Sequence, residues 1–314
     1  MSVPSFQRPL SSNKKITLTF YPIRDTSRYM PEGSHCFQVG SIRCTVLSDG
    51  YYSYPVSWFF PNADPGELQG ALESRHQSPE SVLSPYTCLL VETGRRVVLV
   101  DTGAGEYSRT TGAIQARLEM AGIRPRDVDT VIITHAHPDH IGGAIDMIGR
   151  PAFPNARYVL SEIEWEFWTA ARTDLAKLRL PDDARASIQS TARRCLGPLR
   201  YQIEPIDRET EVVPGITAIP APGHTPGHLA VLIASEGQSL MNLGDAAVHP
   251  LHLERPGWQN GFDLEADCAV ATRRRLVERA IAAGMHLMAF HFPFPSIGKV
   301  AALPEGGWRW TPGW

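Results

Sequence analysis

The stretch Thr134-His-Ala-His-Pro-Asp-His140 limits the possible folds more sharply than any other part of the chain. It places four ligand-type side chains, His135, His137, Asp139 and His140, within six residues. Just before it runs Val131-Ile-Ile133, a short apolar run of β-branched residues that reads as a buried strand. Just after it, Ile141-Gly-Gly143 lets the backbone turn tightly. The ligand-type side chains therefore belong on a loop at the end of a core strand, where a rigid scaffold meets solvent. In extended chain His135 and His137 point to the same side. The turn aims Asp139 and His140 elsewhere, so one loop can feed two adjacent metal positions. Imidazole with carboxylate suits zinc, manganese, iron or cobalt rather than calcium. A lone histidine is ordinarily a packing residue; four such groups directly after a strand are hard to reach that way.

Other strand ends carry matching chemistry. Thr87–Glu92 and Arg96–Val100 read as paired strands, the second ending in Asp101-Thr-Gly103. Asp101 is either an orienter of metal ligands or a plain turn-former. A strand over Val213–Pro220 enters Ala221-Pro-Gly-His-Thr-Pro-Gly-His228, whose prolines and glycines stiffen the loop around His224. His228 closes that loop and reads as a supporting or structural residue rather than a ligand. Leu229–Ala234 and Leu240–Leu243 form a predicted hairpin across Glu236-Gly237 that ends at Gly244-Asp245, a candidate bridging carboxylate. Leu287–Phe290 is a short strand delivering His291 into Phe-Pro-Phe-Pro295. Ligand candidates at four separate strand ends predict one layered α/β domain over residues 1–314.

The remaining chain is read more coarsely. With 314 residues and 43% hydrophobic content, a sizeable core is available. A formal charge of −3 argues against a large nucleic-acid footprint. The five cysteines show no CxxC pairing and read as reduced thiols of a cytoplasmic protein. No apolar run is long enough for a membrane span, and no secretory leader is evident. Residues 1–35 form an arm in which only Ile16–Phe20 alternates as an edge strand would. Ile42–Leu47 is a predicted core strand ending at an Asp49-Gly50 turn. Tyr51–Phe60 holds six aromatics that suit a pocket wall, an oligomer interface or ordinary core. Asp64-Pro65 opens a short helix to about Arg75. A helix with Ile114, Leu118 and Ala121 on one face stops at Gly122. Residues 141–149 read as helix, Tyr158–Leu160 as strand, and 161–198 as a helical insertion broken at Pro181. That insertion is a lid, a pocket wall or a layer on the sheet. Residues 264–283 form a helix with Arg273–Arg275 in solvent. Trp58, Phe59, Trp165, Trp168, Phe292 and Phe294 are the candidate pocket wall.

Asp101-Thr-Gly, His135-Ala-His-Pro-Asp-His140, the Pro-Gly-His224 loop, Gly244-Asp245 and the late His291 together resemble the metallo-β-lactamase superfamily. The motifs occur in the family order and span residues 87–298. The resemblance implies an αββα sandwich with a dinuclear metal site, most often zinc, at one edge between two sheets. It assigns His135, His137 and His224 to one metal, Asp139, His140 and His291 to the other, and Asp245 as the bridge, with a hydroxide between the ions. Such a pair of metals supplies a nucleophile from water at neutral pH and polarises the group attacked. Asp139 could then carry a proton to the leaving group. No Gly-x-Ser-x-Gly elbow is present, and none is needed.

Within the superfamily the chain looks most like the lactonase and methyl-parathion-hydrolase-like branch. The arm, the Tyr51–Phe60 aromatics, the helical insertion and His291-Phe-Pro-Phe-Pro295 carry that likeness. Many acyl-homoserine lactonases share a tyrosine three residues after the bridging aspartate; here that position is Val248. The neighbouring His249 either supplies a hydrogen bond in its place or is a rim or structural histidine. The expected function is hydrolysis of lactones or related esters, with phosphotriesters as a further substrate class. A glyoxalase-II-like thioesterase is the alternative enzyme, and a metal-stabilised binding protein the alternative without catalysis. The expected partner is a small-molecule substrate, not nucleic acid or membrane, and the resemblance implies a homodimer.

Overall fold

The computed structural model describes residues 33–314. The arm's alternating segment Ile16–Phe20 lies outside them. The first sheet runs in sequence order through β1 (Ser34–Val39), β2 (Ile42–Pro55), β3 (Ser81–Glu92), β4 (Val97–Val100), β5 (Thr130–Ile132), β6 (Arg157–Ser161) and β7 (Ile203–Ile206). Its first four strands are antiparallel and its last four run parallel, β4 belonging to both halves. The second sheet contains β8 (Thr210–Val213), β9 (Ile216–Pro220), β10 (Leu229–Ser235), β11 (Gln238–Asn242), β12 (His286–Met288), β13 (Ile297–Ala302) and β14 (Trp308–Pro312). It is antiparallel except where β11 pairs with β12. The helices are α1 (Val56–Phe59), α2 (Pro65–Glu73), α3 (Ile114–Met120), α4 (Pro138–Ile141), α5 (Glu162–Thr169), α6 (Asp182–Leu199), α7 (Pro250–Glu254) and α8 (Ala266–Ala282).

Strand side chains alternate between faces, and here the alternation separates three apolar clusters. Val98 and Val100 of β4 join Val231 and Ile233 of β10 in the interior between the sheets. Leu99 points the other way, into a cluster with Leu118 of α3 and Leu196 of α6. Ala230 of β10 likewise turns outward, against Leu276 and Ala280 of α8. Each sheet is therefore covered on both faces, which explains why β4 and β5 read as continuous apolar runs. The result is the four-layer αββα sandwich. The parallel pairs β4/β5 and β11/β12 direct their C-terminal ends to a common edge, where Asp101, His135, Asp245 and His291 follow.

Several elements differ from the sequence reading. The Asp49-Gly50 signal is a bulge and not a turn: β2 continues to Pro55, with its register to β3 shifting between Ser48 and Gly50. Gly50 sits at φ 127°, and a Cβ there would lie 1.8 Å from the Thr110 carbonyl oxygen. Asp49 then accepts from the Ala104 and Ile114 backbone N–H groups at 2.8 and 3.1 Å. The helix expected over 141–149 is only a single tight turn at Gly142–Ala144. There the backbone presses against Ala104 and Thr102, with room for no Cβ at Gly142 or Gly143. Arg273, expected in solvent, is buried. Its guanidinium donates to the carbonyl oxygens of Ala246 at 2.7 Å and Trp258 at 2.8 Å, groups that no sheet or helix pairs. Burial lowers its pKa to about 10. The aromatic tail forms β13 and β14, with Trp308 buried and Trp314 packed on Phe37 at 4.5 Å.

Candidate metal centre

Four strand ends, those of β5, β9, β11 and β12, bring seven ligand-type side chains into mutual reach. His135, His137 and His224 form one group, Asp139, His140 and His291 a second, and His135, His140 and Asp245 a third that joins them. Asp245 is central. Its Oδ2 lies 3.1 Å from His291 Nε2, 3.3 Å from His224 Nε2 and 3.9 Å from His135 Nε2. Its Oδ1 lies 3.3 Å from His140 Nε2. Asp139 reaches His291 Nε2 at 3.3 Å and His140 Nε2 at 3.7 Å. His137 Nδ1 and His224 Nε2 approach to 2.9 Å.

The local backbone explains the aim of each ring. His137 caps α4 in extended conformation, and Pro138 occupies the first helical position, so the chain turns immediately after the histidine pair. Asp139 and His140 then lie on the helical turn itself. Neighbouring groups set the tautomers. His140 Nδ1–H donates to Asp101 at 2.8 Å, and Asp101 also accepts from the Thr134 N–H at 2.8 Å. His224 Nδ1–H donates to Asp263 at 2.9 Å. His291 Nδ1–H faces Ser84 Oγ at 2.8 Å and the Pro85 carbonyl at 3.1 Å. Each of these contacts occupies Nδ1 and leaves the Nε2 lone pair facing the centre, the arrangement by which metal-ligating histidines are usually held.

The residues fit a metal pair on their unmet bonding capacity. His135 Nε2, His137 Nε2, His140 Nε2 and Asp245 Oδ1 are buried without a hydrogen-bond partner. Orphaned buried polar atoms are costly, and His135 Nε2, His140 Nε2 and Asp245 Oδ1, which belong to one group of mutually close residues, are better explained as ligands than as errors of packing. Burial pushes the His135 and His137 imidazoles well below the ordinary histidine range, which keeps their lone pairs free.

His228 stands apart. Its Nδ1–H donates to the Ala221 carbonyl at 3.1 Å and its Nε2 accepts from the Asp245 N–H at 2.9 Å. Both nitrogens are used, so His228 holds the backbone of Asp245 and has nothing left for a metal. Burial holds it neutral, with a pKa of about 3. His249 is also engaged elsewhere: Nδ1 accepts from the Leu251 N–H and so caps α7, and the ring packs edge-on to Phe60. It is not among the residues lining the cleft beside the centre.

That cleft opens directly beside the ligand cluster. Asp139, Asp245, His137, His224 and His291 form its floor, and Tyr54, Trp58, Phe59, Ile188, Val248 and Phe262 its apolar wall. Of the six aromatics expected in that wall, Trp58 and Phe59 line it. Trp168 is fully buried behind His137, with its indole N–H donating to Glu164 at 2.7 Å. Trp165 packs at the margin of the helical layer. Phe292 stacks edge-on with Trp310 in the outer cluster, and Phe294 packs toward the interior between the sheets. The Pro-rich ending turns both away from the cleft. Asp263, Ser84 and Glu164 were not foreseen. Glu164 accepts from the Ala136 N–H, Trp168 Nε1, Thr225 Oγ1 and the Gly227 N–H, at 2.6–3.0 Å. One carboxylate thereby joins the His135–His137 loop to the His224 loop.

A family model described as the metallo-beta-lactamase superfamily matches residues 82–280. The chain belongs to the metallo-beta-lactamase superfamily. It is a metal-dependent hydrolase of that superfamily. An N-acyl homoserine lactonase of Bacillus cereus is 29% identical over 223 residues, covering 64% of this chain and 79% of that protein. One of Bacillus thuringiensis is 28% identical over 233 residues, 65% and 82% of the two chains. Among solved structures of the superfamily, AidC, a dizinc quorum-quenching lactonase in complex with a product, superposes with a TM-score of 0.84 at 26% identity, covering 91% of this chain and 99% of that one. The hydrolase AbOPH superposes with a TM-score of 0.79 at 25% identity, covering 90% and 97%.

Proposed function

We propose that the protein hydrolyses neutral lactones or related esters with an apolar acyl portion, on two divalent transition metals, zinc first. The observation that carries this reading is the makeup of the cleft: an apolar wall beside the ligand cluster, with no lysine or arginine among the described residues that line it. A glutathione thioester or a nucleic acid brings fixed negative charge, which that wall has no cation to receive. Lactonases among the relatives support the same reading.

His135, His137 and His224 would hold one ion, Asp139, His140 and His291 the other, and Asp245 would serve both. Two ions so held lower the pKa of water and polarise an acyl oxygen. The remaining work belongs to the chain. Asp101, Asp263, Ser84 and His228 keep the ligands aimed. The Asp139 side chain is 13% exposed against 4% for Asp245, so it is the more accessible of the two carboxylates on the cleft floor. It takes the proton released by the attacking water and returns it to the leaving ring oxygen. Trp58, Phe262, Ile188 and Val248 exclude water and seat the acyl chain. Neutral phosphotriesters meet the same wall without penalty. Three of the five unpaired cysteines are buried, which suits a reducing compartment.

The test is proton release from an N-acyl homoserine lactone by zinc-loaded protein, with an aryl ester and an aryl phosphotriester alongside. Turnover of the lactone, abolished by chelation and restored by zinc, is expected. Metal-loaded protein inert toward all three would favour a metal-stabilised binding role.

A further inference from the structure

Tyr54 of β2 and Tyr86 of β3 share a hydrogen bond between their hydroxyls. Their surroundings differ. Tyr86 is fully buried, its ring packed against Phe290 at 5.9 Å and edge-on to His291 at 5.4 Å. Among the described residues its hydroxyl has Tyr54 Oη as sole hydrogen-bond partner. Tyr54 lines the cleft beside Asp139, Asp245 and His291. Its ring contacts Trp58 and Phe262.

A phenol has one proton to donate and lone pairs to accept with. Were Tyr54 the donor, the Tyr86 proton would be buried with no acceptor, the costly arrangement for a buried polar group. With Tyr86 as donor, Tyr86 is satisfied and the Tyr54 proton is free to point into the cleft. A tyrosine hydroxyl ordinarily titrates near pH ~10, so each phenol keeps its proton at neutral pH. The Trp58, Phe59 and Phe262 rings packed on Tyr54 carry no acceptor, and among the described residues the Tyr54 hydroxyl has no hydrogen-bond partner besides Tyr86. We infer that Tyr54 donates a hydrogen bond to an oxygen of the bound ester, and that Tyr86 is a positioning residue that fixes the direction of that donation. The inference rests on the ester-hydrolase reading above.

Tyr54→Phe, Tyr86→Phe and the double variant, all zinc-loaded, test it. Tyr54→Phe should keep its metal content and lose about 10–100-fold in kcat/KM, mostly in kcat, as expected for a hydrogen bond to developing charge. Tyr86→Phe should lose less, and nothing further in the Tyr54→Phe background. Stability gives a readout independent of turnover. Tyr54→Phe strands the Tyr86 hydroxyl and should lower Tm by about 2–5 °C. Tyr86→Phe should leave Tm nearly unchanged, and the double variant should recover most of the loss. Unaltered kcat/KM in Tyr54→Phe overturns the donor role. Equal Tm losses in the two single variants, without recovery in the double, overturn the direction. Wild-type protein that turns over no ester removes the hydrolase reading, while the Tm pattern still decides how the pair is oriented.

Discussion

Asp263 shows how much of the centre depends on single residues that are not ligands. It holds His224 at 2.9 Å from a loop 39 residues downstream. Nothing periodic marks that loop, so the carboxylate was not legible, whereas the ligands were, because they crowd at strand ends. Ser84 escaped for the opposite reason, being an ordinary serine inside a strand. Groups that orient metal ligands typically contribute about 10–100-fold in affinity. Asp263→Asn should weaken zinc binding by about that factor in competition with a chromophoric chelator, and an unchanged affinity would place the orientation of His224 elsewhere. Asp245→Ala should lose metal and activity together. His228→Ala should weaken both only partly, since it reaches the site through the Asp245 N–H. Identical, complete metal loss in both variants would mean that the two residues have been sorted wrongly.

At the scale of elements, apolar periodicity found the long helices and the core strands. It missed what is set by close backbone approach. The bulge at Gly50, the single turn at Gly142–Ala144 and the five-residue α7 each depend on contacts with distant segments. His249 belongs to α7, where it caps the helix start rather than facing the cleft. Burial, with Arg75 nearby, lowers its pKa to about 3. An unfolded histidine titrates near 6.5. Below about pH 6.5 the unfolded chain therefore binds a proton that the folded one refuses until about 3, and stability falls as pH drops through that window, by roughly 1.4 kcal/mol per unit. His249→Asn keeps a capping group that does not titrate. Its Tm should fall less steeply than that of the wild type between pH 6.5 and 5. Parallel Tm profiles would show that His249 is charged in the fold. Glu164 acts between elements in the same way, with four donors converging on it. Glu164→Gln turns an amide N–H₂ toward some of them and should cost about 2–4 kcal/mol in denaturant unfolding; a loss below that range would make the carboxylate a minor tie.

Across the whole molecule, ligand candidates at several strand ends pointed to one layered α/β domain, and the αββα order came from the resemblance to the superfamily; the continuous apolar runs of β4 and β5 agree with sheets covered on both faces. The pocket wall was legible only in part. Trp58 and Phe59 were found by composition, but Ile188 and Phe262 reach the cleft from α6 and from the loop before α8, and only the fold brings them there. Elemental analysis of zinc-reconstituted protein should find about two ions per chain, and no more than one would contradict the joined ligand groups. The central claim is that this cleft takes a neutral acylated ring in preference to a charged thioester. Side-by-side kcat/KM values of the zinc-loaded protein for an N-acyl homoserine lactone and for S-lactoylglutathione test it most directly. The account predicts the lactone to be favoured by at least about 100-fold, the scale of leaving a buried charge unpaired. A preference for the glutathione thioester would contradict it.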